Sequence, residues 1–170
     1  MRDLLRLAVR GAVGSALAAH GAQKAFGWFG GHGPAGTAQF FEGLGFAPGA
    51  RYATSASYAE LAAGIGIALG LGGPLAPATA LSVMIVAAAS VHAKNGFFAQ
   101  NGGYELPFLY GAAAVALAAD GYGALSLDGA LGIDEADGRI VLPALAGGVA
   151  GALIMLAQRG QPQQSETAPA

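Results

Sequence analysis

Six ionisable side chains in this chain lie where charge is hard to accommodate: Arg10, His20, Lys24, Glu60, His92 and Glu105. Glu60 is the sharpest signal. In YATSASYAELAAGIGIALG it falls about eight residues, roughly 12 Å of helix, into an apolar segment. A carboxylate there needs a partner, or it takes up a proton. Arg10, His20 and Lys24, all in the preceding segment, are candidate partners. Such a group serves either a proton-linked or ligand-binding site, or an ion pair that fixes helix register. For a ligand, Lys and Arg supply positive charge and a neutral His donates or accepts, which suits an anionic or carbonyl-bearing molecule. An apolar slot with a few donors and acceptors is what a quinone requires, and Tyr104 adds a hydroxyl.

His20 and His92, at the same depth on different segments, could instead ligate a haem. Interfacial histidines that only hydrogen-bond are far commoner. The chain has no cysteine, and its histidines and carboxylates show no compact ligand spacing, so neither metal nor haem is expected. Phosphate-loop, dinucleotide-binding and nucleophile-elbow motifs are absent.

The surrounding sequence explains why these groups stand out. Of 170 residues, 54% are hydrophobic and 11% charged, against roughly 25% charged in soluble domains. Eight scattered Lys and Arg and a net charge of −2 make no basic footprint, so no nucleic-acid partner is expected. The 29 glycines suit helices packed closely in a bilayer.

Five apolar segments stand out, at about 4–22, 52–71, 75–91, 106–119 and 140–157. A bilayer crossing takes about 17–25 residues. The second, third and fifth meet that. The first does so if Arg6 and Arg10 are tolerated, and the fourth, LPFLYGAAAVALAA, must draw Tyr104 and Glu105 towards the membrane. GLGGP (70–74) leaves room only for a tight turn, so segments two and three form an antiparallel pair. Phe40, Phe41, Leu44 and Phe46 fit a short helix that either lies in the membrane interface or caps the bundle. The basic N-terminus resembles a cleavable signal, but Arg10 interrupts its apolar region. A soluble helical core is the other alternative, disfavoured by four long apolar segments with so few charges.

If the segments alternate in direction, His20, Lys24, Glu60, His92, Lys94 and Glu105 gather near one membrane face. On a helical wheel Arg6, Arg10, His20 and Lys24 fall within roughly 80° of one another. Arg facing mid-bilayer lipid costs about 2.5–3.5 kcal/mol, so this stripe should face the bundle. Arg6 and Lys24 could alternatively snorkel to opposite interfaces. Phe26, Trp28 and Phe29 fit an aromatic belt, and His32 a loop. Gly66-x-x-x-Gly70 and Gly147-x-x-x-Gly151 are small-residue faces of the kind that join helices, within a chain or in a homo-oligomer. Arg2, Arg6, Arg10 and Arg139 balance Lys24, Arg51, Lys94 and Arg159 across the membrane; letting the first helix decide puts the N-terminus inside and opens the polar pocket outward.

RGAVGSALAAHGAQKAFGWFGG, with Arg10, Gly14, His20-Gly21 and Lys24, resembles the start of the DoxX family of small integral membrane proteins. Glu60 with its Gly-rich continuation, HAKNGFFAQNGGYE (92–105) and DGYGALSLDGAL (120–131) extend the resemblance over roughly residues 4–132. It implies a membrane four-helix core, and it permits a redox role, since the family is named for a subunit associated with quinol oxidase and thiosulfate oxidation. Many members have no activity assigned. The fifth segment departs from the four-helix pattern.

The expectation is therefore an all-α, multi-pass inner-membrane protein. Residues 1–132 would form an antiparallel four-transmembrane-helix bundle, 133–158 an additional C-terminal transmembrane helix, and 159–170 a disordered tail. The leading function is an accessory or quinone-interacting subunit of a membrane oxidoreductase system, with lipid and membrane redox proteins as partners. Arg10, His20, Lys24, Glu60, His92 and Glu105 would form its ligand-binding pocket. The alternative is a non-enzymatic membrane protein, either a small-molecule or proton-coupled carrier or a scaffold. The chain should stay in the membrane fraction through high-salt and alkaline washing, and tags at its two ends should be accessible from opposite sides. Release into the supernatant, or both tags on one side, overturns this topology.

Overall fold

The computed structural model describes residues 1–133 and 137–161. The regular structure of those residues is all helical, with no strand among them. Five long helices, α1 (Arg2–Phe26), α3 (Gly49–Leu69), α4 (Leu75–Ala87), α5 (Glu105–Asp120) and α7 (Gly138–Ala157), correspond to the five apolar segments. Two short ones, α2 (Gly33–Gly43) and α6 (Leu127–Ala130), lie in the connections. Residues 134–136, within the acidic linker, and 162–170, most of the expected tail, lie outside the described residues.

Helix ends follow local chemistry. Gly27 and Gly70 close α1 and α3 in the left-handed region, at φ 74° and 65°. Gly70 is needed twice over, because a side chain there would also run into Ser126 and the Arg10 guanidinium. Pro107 sits in the first turn of α5, where its missing N–H has no helical partner to lose. After Ala87 the α4 helix continues through a π-helical turn, Ala88–His92, and a 3-10 turn, Ala93–Asn95.

Backbone contact between α1 and α3 sets the packing. A Cβ on Gly14 would lie 2.4 Å from the Ala68 nitrogen, one on Gly21 2.5 Å from the Leu61 nitrogen, and one on Gly64 2.2 Å from the Ala18 nitrogen. The rising numbers of α1 meet falling numbers of α3, so the pair is antiparallel. Between α7 and α4 the register rises on both: Gly148 lies against Ala78, and Gly151 against Ser82. α7 thus runs parallel to α4 and ends beside the α2–α3 connection. There Gly160 N–H donates to Gly45 O (2.8 Å), Arg159 Nε to Leu44 O (2.6 Å), and the Tyr52 hydroxyl meets Gln158 (3.0 Å). Arg159 and Gly160, expected in the tail, are part of the fold.

Of the two glycine faces the sequence pattern singled out, the first is closely packed, with a Cβ on Gly66 2.8 Å from the Ala76 Cβ and one on Gly70 2.5 Å from the Ser126 Cβ, and the second is not. Gly147 faces open space, and the nearest atom to a Cβ on Gly151 is Ser82 Oγ at 3.6 Å. The connection after α1 caps the bundle through buried Phe41 and Phe46, which pack with Ala53, Val86 and Ala152.

Among the described residues, two helices are long and apolar enough to cross a membrane, Leu75–Asn95 and Gly138–Ala157. α7 has only 11% of its apolar stretch buried, with Leu142, Leu153 and Ile154 turned outward. α1 carries Arg2, Asp3, Arg6, Arg10 and Lys24, and the 16 residues of α5 reach about 24 Å.

Gly64→Ala forces the α1 and α3 backbones apart and should destabilise the protein by about 1–3 kcal/mol, read as a lower melting temperature in detergent. Gly147→Ala meets open space and should leave it unchanged. Equal effects at the two positions overturn the assignment of the tight interface.

Candidate functional site

Antiparallel contact between α1 and α3 brings Lys24 to Glu60, and Lys24 Nζ donates to Glu60 Oε2. The Glu60 side chain is 4% exposed and that of Lys24 is 36% exposed. The carboxylate is thus held inside the helix pair, while the ammonium reaches it from the edge.

Lys24 also lines a cavity of about 420 Å³ between α2, α3, α4 and α7. Its wall on α4 is a helical stripe of Thr79, Ser82, Val83, Val86, Ser90 and Val91, and His92 closes one end. Phe40, Phe41 and Met155 supply apolar surface from α2 and α7. The Thr79 and Ser90 hydroxyls donate to carbonyls of their own helix, those of Leu75 and Val86. The wall is therefore largely greasy.

His92 is held by the loop that follows. Its Nδ1 lies 2.7 Å from the Gly102 carbonyl. A carbonyl only accepts, so Nδ1 carries the hydrogen and the neutral ring keeps Nε2 as an acceptor. Asn95 Nδ2 donates to the same carbonyl at 3.2 Å, and Glu105 Oε2 accepts from the Ala99 amide at 2.8 Å. Glu105 therefore organises the loop that orients His92, and is not among the cavity-lining residues.

The other two sequence candidates are elsewhere. His20 is exposed, with Nδ1 3.0 Å from Gln23 Oε1, and does not line the cavity. Arg10 is 3% exposed, but it lies 14 residues, about 21 Å of helix, from Lys24. It donates from Nη1 to Ala68 O (2.5 Å) and from Nη2 to Leu125 O. Ala68 is in the last turn of α3, where free carbonyls and the helix dipole favour a cation. Arg6 finds an anionic partner of its own, with Nε 2.6 Å from Asp120 Oδ2 at the end of α5. The stripe on α1 therefore serves separate partners at separate depths.

Sequence reading passed over the α4 stripe, although Thr79, Ser82 and Ser90 recur at helical spacing. No group of three or more metal-ligating side chains occurs among the described residues.

An all-helical body, a buried ion pair between two glycine-packed helices and outward-facing apolar helices define a helical membrane protein. A family model described as DoxX matches residues 5–93. The chain belongs to the DoxX family, a membrane protein family. The match runs from α1 to the turn after His92 and contains Arg10, His20, Lys24 and Glu60; Glu105, α5 and α7 lie beyond it. No curated protein and no solved structure matches the chain.

Glu60→Leu should destabilise the protein by about 3 kcal/mol, the lower end for removing one partner of a buried pair, because Lys24 keeps part of its hydration. Glu60→Gln retains an acceptor and should be milder. Combined with Arg10→Gln, its effect should add within about 0.5 kcal/mol, as for well-separated sites. Strong coupling in detergent unfolding would mean that Arg10 and Glu60 share one network.

Proposed function

We propose that this protein binds a small carbonyl-bearing apolar molecule of the quinone class within the membrane, as an accessory subunit of an oxidoreductase system. The observation that carries the reading is the cavity whose apolar wall includes both Lys24 and His92. Its volume of about 420 Å³ lies within the roughly 300–1,000 Å³ of small-molecule sites. A flat ring would lie between the α4 stripe and the phenyl groups of Phe40 and Phe41, with a ring oxygen accepting from the Lys24 ammonium. Glu60 holds Lys24 in place, and His92, oriented through Gly102, offers an acceptor for the hydroxyl of the reduced, quinol form.

All five long helices span the membrane in this reading, in an inner-membrane, multi-pass arrangement. The support is that charge on α1 and α3 is internally matched: Lys24 by Glu60, Arg6 by Asp120, and Arg10 by two carbonyls. The exposed rings of Phe26, Trp28, Phe29 and Phe98 would mark the membrane interface at the cavity end.

Titration of the detergent-purified chain with a short-chain ubiquinone analogue should show saturable binding. Lys24→Ala should weaken it by about tenfold, the loss of one charge-assisted hydrogen bond, and His92→Ala should weaken binding of the reduced, quinol form of the analogue by a similar factor. His20→Ala and His32→Ala, at exposed positions, should leave it unchanged. Equal losses in all four variants, or no binding by the unaltered chain, overturn the site. Substrate flux in vesicles lacking any redox partner would favour the carrier alternative instead.

A further inference from the structure

A second cavity, of about 670 Å³, opens at the opposite end of the bundle. It lies between the α3–α4 turn (Gly72, Gly73, Pro74), Leu75 at the start of α4, Asp128 on α6, and the first turns of α7. Asp128 is 1% exposed. Its Oδ2 accepts from the Gly73 amide at 2.6 Å, while Oδ1 is buried with no hydrogen-bond partner among the described residues. A buried carboxylate oxygen left without a donor is expensive. Its position in the cavity wall makes it a receptor for a donor that enters from outside.

Two further features of the wall have matching chemistry. Pro143 sits inside α7 and has no N–H, so the carbonyl of Arg139, four residues earlier, loses its helical donor. Arg139 and Pro143 both line this cavity. The Arg139 side chain is exposed and makes no salt bridge among the described residues. Among the described residues, the site thus presents a carboxylate oxygen without a donor, a carbonyl without its helical donor, a guanidinium without an anion, and apolar walls from Leu75, Ile133 and Ile140.

We infer that this cavity binds the headgroup of a phospholipid carrying a primary ammonium, with the ammonium directed to Asp128 and the Arg139 carbonyl and the phosphate to the Arg139 guanidinium. A primary ammonium has three N–H donors and is compact enough for a recessed carboxylate. A trimethylammonium has no N–H and is bulkier. The acyl chains would follow the outward-facing apolar surface of α7, whose candidate span begins at Gly138, one residue before Arg139. Arg139 then lies at headgroup depth, where a basic side chain between helices meets lipid phosphate. This inference is independent of the quinone reading, since none of its residues lines the first cavity.

The test uses the full chain in mild detergent with added phosphatidylethanolamine, phosphatidylcholine or phosphatidylglycerol. Retained lipid is read by native mass spectrometry and stabilisation by the shift in melting temperature. The unaltered chain should retain phosphatidylethanolamine about tenfold better than phosphatidylcholine, as expected for a charge-assisted hydrogen bond present in one and absent in the other. Asp128→Asn keeps an oxygen for Gly73 N–H and should abolish that preference. Arg139→Gln should weaken retention of all three lipids. Equal retention of phosphatidylethanolamine and phosphatidylcholine by the unaltered chain overturns the proposal whatever the variants do. So does an undiminished preference in Asp128→Asn. Competition by glycerophosphoethanolamine as strong as by the intact lipid overturns the membrane as the source.

Discussion

The close approach of α1 and α3 governs much of this structure. Gly14, Gly21 and Gly64 let two backbones meet at a distance that any side chain would prevent. Once they meet, the register is fixed along the pair, with Lys24 beside Glu60 at one end and Arg10 beside the Ala68 carbonyl at the other. Either helix alone would carry charge that lipid tolerates poorly; together they present much of it to each other. The cavity follows from the same constraint, because Lys24, drawn to Glu60, is left at its wall.

In the proposed arrangement this pairing also explains why hydropathy alone would miss two of the spans. The two helices that satisfy a length-and-apolarity criterion, Leu75–Asn95 and α7, carry no buried ion pair among the described residues. The helices that miss it include the two whose charges are matched by neighbours. A scale that scores each residue against lipid assigns Lys24, Glu60 and Arg10 a full penalty, although their partners remove much of it.

Much of this was legible in the residues and some was not. The five long helices follow from the apolar runs, and the pairing of Glu60 with a cation of the first segment follows from the cost of a lone carboxylate. Which cation was harder to read. A helical wheel reports angle and not depth, so Arg10 and Lys24 shared a stripe on paper, while the structure sets them about 21 Å apart along α1 with different partners. Glycine spacing was half informative for a similar reason: a Gly-x-x-x-Gly pattern marks a face that could pack, and only the three-dimensional neighbour decides whether it does, as at Gly66 and Gly70 but not at Gly147. The α4 stripe was hidden because hydroxyls bonded to their own helix backbone, as in Thr79 and Ser90, behave as apolar surface. Asp128 sits in a short helix within a long connection and carries no periodic signal at all.

In the proposed arrangement, in which α1 spans the membrane, the Arg10 contacts bear on how the chain enters the bilayer during synthesis. The acceptors of its guanidinium, on Ala68 and Leu125, are made long after Arg10 itself, and the second follows α5. Until they emerge, α1 carries an unsatisfied guanidinium, a penalty of about 2.5–3.5 kcal/mol at mid-bilayer on insertion scales. Release of α1 into lipid on its own is therefore unfavourable. The first helix is better retained at the insertion machinery until α3 arrives, so that the two leave as a hairpin and the segment around Leu125 locks them afterwards.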